Sequence, residues 1–183
     1  LAPRLEAKNL PYFDVRISST GTSRGSVQNF ELSDDGIRGE LVLEGQTTPF
    51  SSSLIGKHNL ENILMAAASA HLLGADGKAI ANGIAAVKTI PGRLESLPNQ
   101  HSILVLVDYA HTPDALNRIL NELSVITEGR LICVFGCGGD RDRSKRAEMG
   151  KVVTLGADIA VITSDNPRTE NPENILNDIL KGC

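Results

Sequence analysis

Residues 103–123 read ILVLVDYAHTPDALNRILNEL, and this stretch decides the fold. Residues 103–107 form an unbroken apolar run, the pattern of a strand buried on both faces. A short segment, DYAH at 108–111, separates the run from Thr112-Pro113. Those two residues supply an N-cap and a proline at the first helical position, where its missing N–H costs nothing. Leu116, Ile119, Leu120 and Leu123 then recur at helical spacing. The pattern repeats downstream. Residues 131–135 read as a second strand, Ser144 as the cap of a helix carrying Met149, Val152 and Val153 and stopping at Gly156. Ile159–Ile162 reads as a third strand, and Asn171-Pro172 as the cap of a last helix. Strands alternating with helices imply an α/β fold with right-handed crossovers, and the three strands are expected to share one parallel sheet.

The pattern changes near Pro91. Before it, residues 12–56 read as short strands: Val15 and Ile17 alternate with charged neighbours, Ser33-Asp34-Asp35-Gly36 is a turn, and residues 37–43 are another strand. Two helices follow. Leu60, Ile63, Leu64, Ala67 and Ala68 line one face of the first, which ends at Gly74; Ile80, Ile84 and Val87 mark the second, which Pro91 forbids from continuing. The expected division is residues 1–91 and residues 92–183.

Bulk properties exclude several classes. Of 183 residues, 41% are hydrophobic and 22% charged, the balance of an ordinary globular chain. The net charge of −4 argues against nucleic acid and anionic membranes as partners. No apolar run approaches the roughly 20 residues of a spanning helix. Cys133, Cys137 and Cys183 are odd in number and form no CxxC pair, which fits a reducing cytosol and neither structural zinc nor a disulfide framework. Leu1-Ala2-Pro3-Arg4 has no initiator Met and reads as a cut within a longer protein, and the stop after three strands reads as a second truncation.

In a doubly wound sheet, ligands gather where strands end. Three segments are expected there: 108–111 (DYAH), 136–142 (GCGGDRD) and 164–168 (SDNPR). Together they collect carboxylates, a glycine-rich backbone, Arg141 and Arg168. Guanidinium groups pair bidentately with carboxylate or phosphate, so such an edge suits an anionic ligand. The glycines match neither GxxxxGK[ST] nor GxGxxG, and a tight strand-to-helix turn is the simpler reading of Gly138 and Gly139. Residues 56–62, GKHNLEN, open the first helix. Asn59 and Asn62 are three apart and suit a purine edge, although Asn59 taken alone reads as an N-cap. Arg93, in PGRLE at 91–95, suits either a hinge salt bridge or an anion contact.

The series GKHNLEN, IPGRLE, VDYAHTPDAL, FGCGGDRDRSKR and SDNPR resembles the Mur ligases, in order and at family spacing, from about residue 54 onward. The resemblance implies the end of a central ATP-binding domain followed by an incomplete Rossmann-like C-terminal domain with a mostly parallel sheet. It implies an ATP-dependent acid–amino-acid ligase of peptidoglycan precursor synthesis, bacterial and cytoplasmic, yielding ADP and phosphate through an acyl phosphate. GCGGDRD with DNPR implies the branch that joins meso-diaminopimelate to UDP-N-acetylmuramoyl-L-alanyl-D-glutamate. A lysine-adding or folate-directed sister ligase is the nearer alternative, and a non-catalytic adenine-nucleotide-binding module the more distant one.

By the same resemblance, Asn62 faces the adenine, Arg93 reaches the nucleotide across the domain boundary, and Asp108 holds the ribose hydroxyls. Arg141, Asp165, Asn166, Pro167 and Arg168 match the amino-acid pocket. His58, Tyr109 and His111 fall at motif positions without an assigned chemistry, and His71 and His101 read as structural or solvated. The P-loop, the Mg2+ ligands and the uridine-nucleotide domain of the family are expected upstream of Leu1. No catalytic residue and no metal ligand is therefore assigned to these 183 residues, which are expected to be inactive alone.

Overall fold

The computed structural model describes residues 13–17 and 23–183. The readings of Leu1-Ala2-Pro3-Arg4, of residue 12 and of residues 18–22 lie outside the described residues. The chain divides into two compact units, residues 1–108 and 109–183.

In the first unit, β1 (Val15–Ile17), β2 (Gly25–Ser33), β3 (Gly36–Leu43) and β4 (Gln46–Ser52) form one sheet in that order. β1 runs parallel to β2 and the other pairs are antiparallel. The Ser33–Gly36 turn forms as the sequence predicts, and Gly36 adopts φ 130°, which a side chain resists. Alternation buries Val27, Leu41 and Leu43 on one face of the sheet. Against them pack α1 (Lys57–Leu72) and α2 (Gly77–Ala86) through Leu60, Ile63, Leu64, Ala67 and Ile80. Gly74 follows α1 at φ 93° as a left-handed terminator. Val87 lies just past the end of α2 as its C-cap and is exposed, so the second apolar stripe ends at Ile84.

β5 (Glu95–Leu97) and β6 (Val105–Val107) close this unit as an antiparallel pair, Glu95 opposite Val107. This corrects the expectation of one three-stranded parallel sheet. An unbroken apolar run does not specify its partner, and pairing with a segment eight residues upstream closes only a short loop. Ile103 and Leu104 stay exposed and outside the ladder.

The second unit contains α3 (Pro113–Ile126), β7 (Ile132–Phe135), α4 (Ser144–Gly156), β8 (Ile159–Ile162) and α5 (Pro172–Leu180). β7 and β8 pair in parallel, Ile132 with Ile159 through Phe135 with Ile162. Leu116, Leu120, Phe135, Met149, Val153, Ile175 and Ile179 form its core. Thr112 caps α3 by accepting from the Ala115 N–H at 3.2 Å, and Asn171 caps α5 by accepting from Glu173. Ser144 is the first helical residue and not the cap: Arg143 holds the N-cap position without a side-chain bond, and one residue earlier Asp142 Oδ1 accepts from the Ser144 N–H at 2.9 Å and the Ser144 hydroxyl at 2.6 Å. A carboxylate there also suits the positive end of the helix dipole. Among the described residues no helix is long and apolar enough to cross a membrane.

Candidate functional site

Parallel pairing of β7 and β8 brings the ends of two neighbouring strands together, and residues 136–142 and 163–170 leave from that edge. The two loops bind each other directly. The Gly139 N–H donates to the Asn166 carbonyl at 2.9 Å, and Arg168 Nη1 donates to the Gly139 carbonyl at 2.7 Å. The Asp140 carboxylate accepts from the Thr169 hydroxyl at 2.8 Å and from its N–H at 3.2 Å. The Asp140 N–H donates to Glu170 at 2.6 Å. The peptide joining Gly139 to Asp140 is therefore held at both ends, its carbonyl by Arg168 and its N–H by Glu170.

The glycines serve this approach. Gly138 and Gly139 are absent from the positive-φ residues, so the turn reading does not explain them. A Cβ on Gly138 would lie 2.8 Å from Arg168 Nη1, and one on Gly139 only 1.8 Å from the Pro167 carbonyl oxygen. Among the assigned amino-acid-site residues, Asp165, Asn166, Arg141 and Arg168 are exposed and Pro167 is half-buried. Arg168 sits at φ 51°, an uncommon conformation for a side-chain-bearing residue. Arg141 has no ion-pair partner among the described residues. The edge thus offers two guanidiniums beside a carboxylate and an amide, chemistry able to pair with both anionic and cationic groups.

Beneath the edge lies a charged cluster that the sequence reading leaves without a role. Arg146 on α4 is fully buried. Its fork donates to Glu170 at 2.8 and 3.1 Å, to Asp178 at 3.1 Å and to the Gly138 carbonyl at 3.4 Å. Hydrogen bonds from Arg146 first, then from the Asp140 N–H, hold the Glu170 carboxyl at about 2. The Arg146 guanidinium is raised in turn, chiefly by its bond to Glu170. A signal existed in the sequence: residue 146 shares a helix face with Met149 and Val153, and an arginine on an apolar stripe requires a buried acid.

The nucleotide-assigned residues fall in the first unit. Asn62 is exposed in the first turns of α1. Asn59 is neither an N-cap nor exposed: Gly56 precedes the helix, and Asn59 is fully buried, its amide donating to the Ile55 carbonyl at 2.8 Å. Asp108 Oδ2 accepts from the Leu94 N–H at 2.9 Å, holding the backbone beside exposed Arg93. His111 Nδ1 lies 3.0 Å from the Tyr109 carbonyl, and the His111 carbonyl accepts from Lys145. A shallow polar depression between Arg38, Lys88, Ser51 and Ser53 contains none of the assigned residues.

The model of the "Mur ligase, glutamate ligase domain" family matches residues 92–183, half of the chain. The chain belongs to the Mur ligase family. Among its relatives, the UDP-N-acetylmuramoyl-L-alanyl-D-glutamate–2,6-diaminopimelate ligase of Gloeobacter violaceus is 51% identical over 149 residues, 81% of this chain and 30% of that protein. The ligase of the same name from Geobacter metallireducens is 51% identical over 172 residues, 94% of this chain and 33% of that protein. A solved structure of a ligase of this name superposes with a TM-score of 0.66 at 35% identity, covering 97% of this chain and 37% of the other. The chain spans about a third of the length of the relatives it matches.

Proposed function

We propose that this chain is the part of a diaminopimelate-adding ligase that receives the amino acid and one side of the nucleotide. The whole protein's reaction on this reading is ATP-dependent amide formation. A carboxylate of UDP-N-acetylmuramoyl-L-alanyl-D-glutamate becomes an acyl phosphate. The meso-diaminopimelate amine attacks it, a C–N bond forms, the C–O bond to phosphate breaks, and the amine loses a proton. The carrying observation is the pair of loops at the β7 and β8 ends, which presents Arg141 and Arg168 beside Asp165 and Asn166. The diaminopimelate ligases to which the chain is 51% identical support the same reading.

Within that reaction the residues of this chain bind and orient. Arg168 and Arg141 take the far carboxylate of diaminopimelate, and Asp165 and Asn166 take its ammonium and backbone groups. Asn62, Arg93 and Asp108 take the nucleotide, Asp108 through its carboxylate on the ribose hydroxyls. On this reading the domain boundary lies at Pro91 and Gly92; a family match starting at residue 92 supports it, while the division between compact units lies later, at Asp108. Among the described residues no group of three or more His, Cys, Asp or Glu is placed to hold a metal ion. The 183 residues alone are expected to turn over no ATP, since phosphoryl transfer depends on a metal and a phosphate cradle, which the resemblance assigns to other parts of the family's proteins.

The test supplies the complete gene product carrying this chain with ATP, magnesium, the UDP-muramoyl dipeptide and either labelled meso-diaminopimelate or labelled lysine. ADP and a diaminopimelate-containing product are expected. Equal incorporation of lysine would assign a sister ligase, and nucleotide binding without any product would assign a binding module.

A further inference from the structure

We propose that Arg146 is a positioning residue of the amino-acid site, acting through Glu170 on the Gly139–Asp140 peptide and so on Arg168. The proposal rests on the reading of the β7–β8 edge as that site. Arg146 is fully buried in α4 and touches no surface on which a ligand lands. Its bidentate hold on Glu170, at 2.8 and 3.1 Å, fixes a carboxylate that has a second task. Glu170 Oε1 also accepts from the Asp140 N–H, one end of the peptide whose other end carries Arg168. The connection is continuous: a buried guanidinium, a carboxylate, one peptide plane, an exposed guanidinium. Arg146 reaches the same loop a second time through the Gly138 carbonyl.

Rotation of that peptide would break both of its bonds together, and Arg168 would lose the contact that sets its head group. A recognition group displaced by about an ångström costs a large share of its effect. Arg143 also pairs with Glu170 at 3.0 Å, but from an exposed side chain, and so constrains it less. Asp178 provides an internal control. It binds Arg146 at 3.1 Å and Lys181 from the other side, and among the described residues it makes no hydrogen bond to either loop.

The experiment compares Arg146→Lys, Glu170→Gln and Asp178→Asn in the complete gene product. KM for diaminopimelate, KM for ATP, kcat and the thermal midpoint are read for each. Lysine at 146 keeps the charge and loses the fork. It should raise KM for diaminopimelate about tenfold or more with KM for ATP unchanged. Glutamine at 170 keeps an acceptor for the Asp140 N–H and loses the charge, so a smaller rise in the same constant is expected. Asparagine at 178 should lower the thermal midpoint and leave both KM values alone. If Asp178→Asn moves the diaminopimelate KM as much as the other two, or if Arg146→Lys and Glu170→Gln lower only stability, Arg146 is structural and the proposal fails. Should Arg146→Lys not fold, Glu170→Gln against Asp178→Asn decides alone. A wild-type protein that does not use diaminopimelate overturns the site reading instead, a result seen before any variant is made.

Discussion

A Cβ placed on Gly139 would lie 1.8 Å from the carbonyl oxygen of Pro167. Nothing flexible stands in the way, because the obstructing atom is backbone. Gly139→Ala must therefore separate the two loops or displace residues 165–168. Overpacking of this kind costs roughly 1–3 kcal/mol, read as a lowered urea midpoint. Gly129→Ala is the contrast: nothing lies within 4 Å of its added Cβ, so stability should hold or rise by about 0.4–1 kcal/mol. Equal losses at the two positions would refute the close approach.

Acid should loosen the second unit over a defined window. The Glu170 carboxyl is held at about 2 against an ordinary 4.5. Between those values the unfolded chain binds more protons than the folded one, so stability is fully present above 4.5 and is lost as pH falls toward 2. Asp178, lowered by Lys181 and Arg146, and Asp142, lowered by Ser144, act in the same direction. Urea midpoints from pH 5 down to pH 2 should fall less steeply for Glu170→Gln than for the wild-type chain. An identical slope would remove Glu170 from the acid response.

What the sequence made legible was local. Thr112-Pro113 and Asn171-Pro172 carry their own hydrogen-bond logic, and both helices start where those pairs stand. β8 and the end of α1 are equally local. Residues 103–107 were misread because an apolar run names no partner, and Glu95–Leu97 competes for β6 at short range. Ser144 was misread because Asp142, two residues earlier, offers the stronger acceptor. The positions of Arg141 and of 165–168 followed from strand ends and family resemblance. The support under them did not, since Arg146 meets Glu170 across 24 residues. Only the placement of residue 146 on the apolar face of α4 hinted at it.

Asp108 has two tasks that substitution can separate. It accepts from the Leu94 N–H at 2.9 Å, and Leu94 is buried at φ 44°, a conformation that needs support. On the proposed reading it also holds the ribose. Asp108→Asn keeps an acceptor for Leu94 but loses the charge, whereas Asp108→Ala loses both. In the complete gene product both variants should raise KM for ATP about tenfold, the scale of a charge-assisted hydrogen bond. Only the alanine variant should also lose roughly 1–3 kcal/mol of stability, through an unsatisfied N–H. An asparagine variant with normal KM for ATP would make Asp108 a turn residue alone.

On the proposed reading, Arg168 carries the choice between diaminopimelate and lysine, which differ chiefly by one carboxylate at the far end. A site built around a guanidinium leaves that charge unpaired when lysine binds, and an unpaired charged group in a site is expensive. The structure holds Arg168 at φ 51°, with Nη1 on the Gly139 carbonyl and Pro167 stiffening the preceding residue. One nitrogen of the fork is spent on the backbone, and Arg141 stands near with no ion pair of its own among the described residues. In the complete gene product, Arg168→Ala should lower kcat/KM for diaminopimelate by roughly a hundredfold or more, with ATP affinity held. Arg168→Lys should fall between, because an ammonium keeps the charge and loses the planar fork. The competing role is mechanical: Arg168 as a stitch between two loops and nothing else. A stitch would lower the thermal midpoint and weaken diaminopimelate and lysine in equal proportion. The ratio of kcat/KM for the two amines therefore decides, and a ratio unchanged by Arg168→Ala would remove this residue from specificity.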